Sequence, residues 1–367
     1  MSTSVPAGPL ETTPDEIVER LFGATIGMFD ILSVYIGDRL GLYRALHDGG
    51  PATAAELAAR AGIDERYARE WLEQQAVTAI LEVDDASTPA DARRYALPQA
   101  YAAPLLDPDS PWSIAPIARS VVGCAKVVPQ LLDAFRTGGG VEWADYGPDM
   151  IEAQGDFNRP WLTGSFGSEI LPAMPAVHER LTAAGGARVA DVACGVGWAA
   201  IAIAKAYPAV RVDGFDLDPS SIELARANAR EAGVDDRVTF GVRDAADPAA
   251  AGQYDVAVVI EAIHDLAQPV PVLAAIRGML RPGGVLLVAD EKTEDAFTAP
   301  GSDAERLFYG FSILTCLPAA MTTRPTSGTG TAMRPATLRA YAEEAGFGGF
   351  VQLDEPALDF LRFYLLS

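Results

Sequence analysis

Three histidines occur in the chain, His47, His178 and His264, and one of them stands where acid–base chemistry could be done. His264 follows an apolar, strand-like run in YDVAVVIEAIHDLAQP (Tyr254 to Pro269) and is followed at once by Asp265. An imidazole exchanges its proton near neutral pH, so at such a strand end it is a candidate general base for an attacking hydroxyl. In open α/β sheets the carboxyl ends of the strands face the ligand crevice, which aims Glu261 to Asp265 at whatever is bound. The competing reading of His264 is structural, its ring tying the turn after the strand to the backbone. His47 falls in a helix end and His178 in a linking helix.

A second constellation lies upstream. ARVADVACGVGWAAIAIAKA (Ala187 to Ala206) reads as a buried strand, a tight glycine-containing turn and a helix. Gly195 and Gly197 let the backbone approach a ligand with no Cβ in the way, and the helix N-terminus that follows favours a carboxylate or phosphate. Gly195-x-Gly197-x-x-Ala200 also satisfies the dinucleotide fingerprint, with the acidic Asp216 about 20 residues on at the end of VRVDGFD, so a nicotinamide dehydrogenase stands as a rival. Asp191, ahead of the glycines, sets a carboxylate against a cationic ligand such as an ammonium or a sulfonium, and a pyrophosphate would be repelled there. RVTFGVRDAAD brings Asp244 to the end of a third strand, giving acidic residues after three successive strands. Asp218, before PSSIELARANA, is expected to be a helix N-cap. LRPGGVLLVAD (Leu280 to Asp290) is a helix end, a Pro-Gly-Gly turn and a strand, and FVQLDEPALDFLRFYLL reads as an antiparallel hairpin.

As a set these segments resemble the class I S-adenosylmethionine-dependent methyltransferases along Ala187 to Leu366. DVACGVG looks like their glycine-rich motif, GFDLD their ribose-binding acidic motif, RDAAD the adenine-edge carboxylate and LRPGGVLLVAD their strand-five signature. The resemblance implies a Rossmann-like α/β sheet and S-adenosyl-L-methionine as cofactor. Asp216 would take the ribose hydroxyls, Asp244 the adenine amino group, and Gly195 and Gly197 would flank the methionine part. Asp191, Leu217, Ala245 and Glu261 complete the implied cofactor set, with Ala193 where many members carry the first glycine.

These residues need a frame, and the rest of the chain divides into three stretches: 1–105, 106–180 and 181–367. From Asp15 to about Leu46 the pattern is helical, with one apolar stripe at Ile17, Leu21, Ala24, Met28, Ile31 and Tyr35 and a second at Val18, Phe22, Thr25, Phe29, Leu32 and Ile36. A helix apolar on two faces is buried on both sides, within its domain or against a partner. Thr53 to Val83 reads as a helix, a turn at Gly62 and a second helix, then a polar excursion closing at RRYALP (Arg93 to Pro98): a winged helix-turn-helix. Its would-be recognition helix is acidic, with Asp64, Glu65, Glu70 and Glu73 outweighing Arg66 and Arg69, which speaks against DNA. Between Pro104 and Pro175 the pattern is of Pro-broken helices, a Gly138 to Gly140 hinge and the aromatics Trp143, Tyr146, Phe157, Trp161 and Phe166, either core or pocket. FYGFSILTCLP (Phe308 to Pro318) is a further candidate pocket wall, and TTRPTSGTGTAMRP reads as a mobile loop or lid.

The order of winged helix, helical linker and His-Asp strand end is similar to the small-molecule O-methyltransferases of the plant type and their bacterial relatives. There the His of a His-Asp-Trp sequence removes the acceptor's proton; His264-Asp265-Leu266 matches it at two of three positions. The carboxylate that orients the base falls on Asp290, an Asp in place of Glu. A second acidic partner would lie in GTGTAMRPATL, where Met333 and Arg334 stand. The resemblance implies O-methylation of an apolar or aromatic small molecule by a homodimer. An S-adenosylmethionine-sensing regulator and a non-methylating enzyme on the same fold remain as alternatives.

Composition narrows the partners. The 367 residues are 49% hydrophobic and 21% charged, as in an ordinary globular protein. Lys and Arg total 28 against 50 Asp and Glu, a net charge of −22, which repels nucleic acid and anionic membranes alike. Cys124, Cys194 and Cys316 are far apart and odd in number, so neither a disulfide framework nor a metal site is read from them. Met1 to Pro14 has no basic-then-apolar targeting pattern, and no apolar run reaches the roughly 18 residues of a membrane span, so the expectation is a cytoplasmic protein.

Overall fold

The computed structural model describes residues 13–247 and 252–367 and falls into two compact units that divide after Asp107. Almost all of the Met1 to Pro14 stretch lies outside the described residues.

The first unit opens with the helix Pro14–Arg39. Thr13 and Glu16 form a capping box at its start, the Thr13 hydroxyl accepting from the Glu16 N–H and the Glu16 carboxylate from the Thr13 N–H. The helix stops short of the expected Leu46: Gly41, at φ +66°, turns the chain into a separate helix Leu42–Gly49. Nor is the apolar surface buried within the described chain, for Val18, Leu21 and Phe22 are 63–66% exposed and Phe29 is 56% exposed. The helices Ala54–Ala61 and Glu65–Val77 follow, separated at Gly62 (φ +68°) and N-capped by Thr53 and Asp64. Strands Glu82–Val83 (β1) and Tyr95–Ala96 (β2) pair antiparallel as the wing. Leu42, Tyr43, Leu46, Leu57, Trp71 and Leu72 form the core of the unit, with Tyr43 edge-on to Trp71 at 5.1 Å.

The second unit is built on one sheet of seven strands: Arg188–Val192 (β3), Arg211–Asp216 (β4), Val238–Val242 (β5), Tyr254–Ile260 (β6), Leu280–Glu291 (β7), Phe350–Leu353 (β8) and Leu361–Leu366 (β9). Their order is β5-β4-β3-β6-β7-β9-β8. β3 to β7 pair in parallel, and β9 runs antiparallel to both β7 and β8. The central strands are apolar on both faces because helices cover both: Ala190, Val192, Ala257 and Val259 pack to one side, Val189, Val256 and Val258 to the other. Such a sheet brings the carboxyl ends of β3, β4, β6 and β7 to one edge, and the strand order reverses between β3 and β6, where an open sheet leaves its crevice.

The segment after Asp107 belongs to this unit and is less broken than its prolines suggest. Ala115–Thr137 is one helix with Pro129 inside it, and Gly138 is its left-handed C-cap (φ +72°) rather than a hinge. Helix Pro148–Trp161 continues into π-helical turns, Leu162–Ile170. The aromatics divide between roles. Tyr146 and Phe166 are fully buried, Trp161 packs edge-on to Phe166 at 5.4 Å, and Trp143 and Phe157 face a cavity.

Candidate active site

A cavity of about 610 Å³ runs across the carboxyl edge of the sheet. One end is made by the loop after β3 and the ends of β4, with Asp191, Ala193, Cys194, Gly195, Asp216 and Leu217; the other by the end of β6, β7 and later helices, with His264, Asp265, Glu291, Phe308, Phe311 and Cys316.

The glycine loop works by geometry. Ala193 (φ +56°), Gly195 (φ +50°) and Gly197 (φ +86°) all take left-handed backbone conformations. A Cβ on Gly195 would meet no protein atom within 4 Å, so this glycine keeps the backbone bare toward the cavity. Gly197 is needed for a different reason from the one its sequence suggests: a Cβ there would lie 2.6 Å from the Phe240 ring, so its bareness serves packing. Ala193 holds with a methyl group the conformation that a glycine would hold without strain.

One carboxylate, Asp216, braces the loop itself, and two others, Asp191 and Asp218, fix the starts of neighbouring helices. Asp191, 2% exposed, accepts the N–H of Ala200 at 3.0 Å in the first turn of helix Trp198–Ala206. Burial pushes its carboxyl up to about 7. Asp216 accepts from Gly195 N at 2.8 Å with one oxygen and from Asp218 N at 2.9 Å with the other; burial raises its pKa as well. Asp218 N-caps helix Pro219–Glu231 through Ser220 and Ser221. Asp244 and Ala245 do not line the cavity: Asp244 is exposed and its carboxylate closes its own turn, accepting from Ala246 N at 2.8 Å.

Glu261, just after β6, takes a left-handed conformation (φ +50°), a strained backbone for a glutamate. Its Oε2 is gripped by two side-chain amides one helical turn apart, Gln154 at 3.0 Å and Asn158 at 2.6 Å. Burial pushes its carboxyl up. The sequence analysis missed this amide pair: its only local signal is a polar i, i+4 step in an aromatic helix, and that says nothing of what it grips.

His264 is 2% exposed and ringed by acids. Its Nδ1 lies 2.8 Å from Asp290 Oδ1 and 3.0 Å from Glu291 Oε2, and its Nε2 lies 3.2 Å from Asp265 Oδ1. Burial opposes protonation of the ring, but Glu291, Asp265 and Asp290 outweigh it and hold the pKa well above the histidine range. The Asp290 carboxyl, pushed up by burial, is drawn lower by the ring, whereas burial leaves Glu291 well above the carboxylate range. One Nδ1–H cannot satisfy two carboxylates, and Asp290 has the shorter contact. Glu291 was missed because neighbours in a strand alternate faces; β7 ends at this residue. Cys316 also borders the ring, and burial pushes its thiol up to about 12. His264 with Asp290 and Glu291, or with Asp265 and Cys316, are also groups of metal-ligating type.

The TTRPTSGTGTAMRP stretch, read as a mobile loop or lid, is hydrogen-bonded to the turn after β6: Gly330 N donates to His264 O at 3.1 Å and Ser327 N to Ala267 O at 2.8 Å. Met333 is core, and Arg334 pairs with buried Glu305 at 2.7 Å. The other histidines lie elsewhere, His178 against the Tyr207 hydroxyl at 3.0 Å and His47 in helix Leu42–Gly49.

This sheet order and crevice define a class I methyltransferase fold. Residues 184–322 match the family model described as a methyltransferase domain, and residues 28–106 match an Rv2258c-like winged HTH domain. These two matches put a methyltransferase-like domain after a winged-helix domain in the chain and favour the methyltransferase reading over the dinucleotide one. Among similar proteins, the 27-O-demethylrifamycin SV methyltransferase of Amycolatopsis mediterranei is 34% identical over 123 residues, 33% of this chain and 45% of that protein. The ubiquinone biosynthesis O-methyltransferase of Marinobacter nauticus is 35% identical over 115 residues, 31% of this chain and 47% of that protein. The chain spans about half or less of the length of the curated relatives it matches. Two solved structures share the fold along nearly the whole chain. Mitomycin 7-O-methyltransferase has a TM-score of 0.67 at 22% identity, over 96% of this chain and 98% of that one. Human N-acetylserotonin methyltransferase, solved in complex with SAM, has 0.69 at 18%, over 98% and 99%.

Proposed function

We propose that the protein transfers the methyl group of S-adenosylmethionine to a hydroxyl of an apolar, aromatic small molecule, with His264 as the base. The observation that carries this is the continuity of one cavity from Gly195 and Asp216 to His264. Gly195, Asp191, Asp216 and Leu217 would hold the cofactor, and Glu261, locked by Gln154 and Asn158, would face its cationic centre. When bound, the cofactor supplies an electrophilic methyl on a sulfonium.

The chain's own part is alignment, exclusion of water and proton transfer. Met150, Ile151, Phe157, Phe308 and Phe311 wall the acceptor end with apolar surface, so an acceptor held there meets little water. With its Nδ1–H on Asp290, the neutral imidazole presents Nε2 as the proton-accepting atom, and the imidazolium it becomes is stabilised by the carboxylates around it. Asp265, 3.2 Å from Nε2, would steer the hydroxyl to that atom.

We also read the protein as a cytoplasmic homodimer that does not bind nucleic acid. The exposed apolar helix Pro14–Arg39 supports a second copy. Charge speaks against nucleic acid, since Arg66 and Arg69 are paired within their own helix to Glu70 and Glu65. No helix among the described residues is long and apolar enough to cross a membrane.

Incubation with methyl-labelled S-adenosylmethionine and a panel of hydroxylated aromatics, read by mass spectrometry, tests the reaction. The expected result is a labelled methyl ether and a His264→Ala enzyme slower by about 10²-fold to 10⁴-fold with unchanged cofactor affinity. Full turnover by that variant would remove the base.

A further inference from the structure

The half of the cavity around His264 is electrostatically one-sided. Beyond the carboxylates at the glycine-loop end, it adds Glu142, Asp265 and Glu291, and among the described residues no Lys or Arg lines any part of it. Asp265 Oδ1 and Glu291 Oε2 meet only the His264 ring, at 3.2 and 3.0 Å, and the ring's Nδ1–H goes to Asp290, so this wall has more acceptors than donors. Glu142, an exposed lining residue, is the N-cap of the short helix Trp143–Tyr146 yet makes no side-chain cap bond, and Trp143 next to it in the chain lines the cavity as well. Phe308 and Phe311 add further aromatic faces. Carboxylates and aromatic faces together attract a cation, and a desolvated anion would meet only like charge.

We infer that the methyl acceptor carries a protonated amine as well as its hydroxyl, and that hydroxylated aromatic acids are turned away. This rests on the reading of the cavity as a methyl-acceptor site. The amine's N–H groups supply the donors that the wall lacks, with Glu142 adding to the selection and the aromatic faces holding the ring.

The test is calorimetric titration of the full chain, loaded with S-adenosylhomocysteine, with pairs of phenols that differ only in an ammonium or a carboxylate, tyramine and 4-hydroxyphenylacetate being the smallest pair. The ammonium member should bind at least about tenfold more tightly at neutral pH. Glu142→Lys should reduce that preference while leaving S-adenosylhomocysteine affinity unchanged, and Asp265→Asn should reduce it from inside the cavity. Equal or tighter binding of the carboxylate, a preference indifferent to both substitutions, or no binding by either member of any pair would overturn the inference. Failure to bind S-adenosylhomocysteine itself would instead sink the methyltransferase reading, so the two failures are told apart within one experiment.

Discussion

His264 has more carboxylate around it than a single imidazole can pair with, and its acidity should be readable in the rate. Because the ring's pKa is held above the usual 6.5, the protonated form, useless as a base, persists to higher pH. The acid limb of kcat/KM for a hydroxyl acceptor should therefore rise through a midpoint above 6.5 as pH increases. Asp290→Asn, which removes a negative neighbour, should move that midpoint down, and a pH–rate profile of the two proteins checks it. A profile flat from acid to alkaline pH would show that no such proton transfer limits the reaction. Asp191, Asp216 and His264 were legible in the sequence because each ends an apolar run, and strand ends meet at one edge. Glu291, Asn158 and Gln154 were not, since what they touch is brought in from other elements and no local period records it.

The glycine turn after β3 separates two uses of one residue type. Gly195→Ala should cost about 1 kcal/mol of stability, the strain its neighbour Ala193 already bears, and should act chiefly on cofactor affinity. Gly197→Ala adds a collision with Phe240 to the same strain and should cost about 3 kcal/mol. Denaturant melts and cofactor titrations of the two variants should thus show opposite emphases; equal destabilisation would contradict the distinction. The sequence pattern found this turn, the strands and the winged helix, whose periods are local. It overran the first helix past Gly41 and took Gly138 for a hinge and TTRPTSGTGTAMRP for a mobile loop or lid, because a cap and a hydrogen-bonded loop have the same composition as a flexible one.

Across the molecule two properties set the behaviour, an excess of negative charge and an apolar first helix. With Val18, Leu21, Phe22 and Phe29 exposed, the Phe22→Glu, Phe29→Glu double variant should be monomeric by light scattering, whereas the native chain should give a dimer mass that holds on dilution. A native monomer would remove the assigned partner. The fold class was readable from the order of strand-end acids and glycines, while the tie between the two ends of the cavity emerged only in three dimensions. The most direct test of the account is calorimetric titration with S-adenosylmethionine, S-adenosylhomocysteine and NADH, of the native chain and of Asp216→Ala. Micromolar binding of both adenosyl compounds, abolished by the substitution, with no binding of NADH is the predicted result; binding of NADH alone, or adenosyl binding indifferent to Asp216, would contradict it.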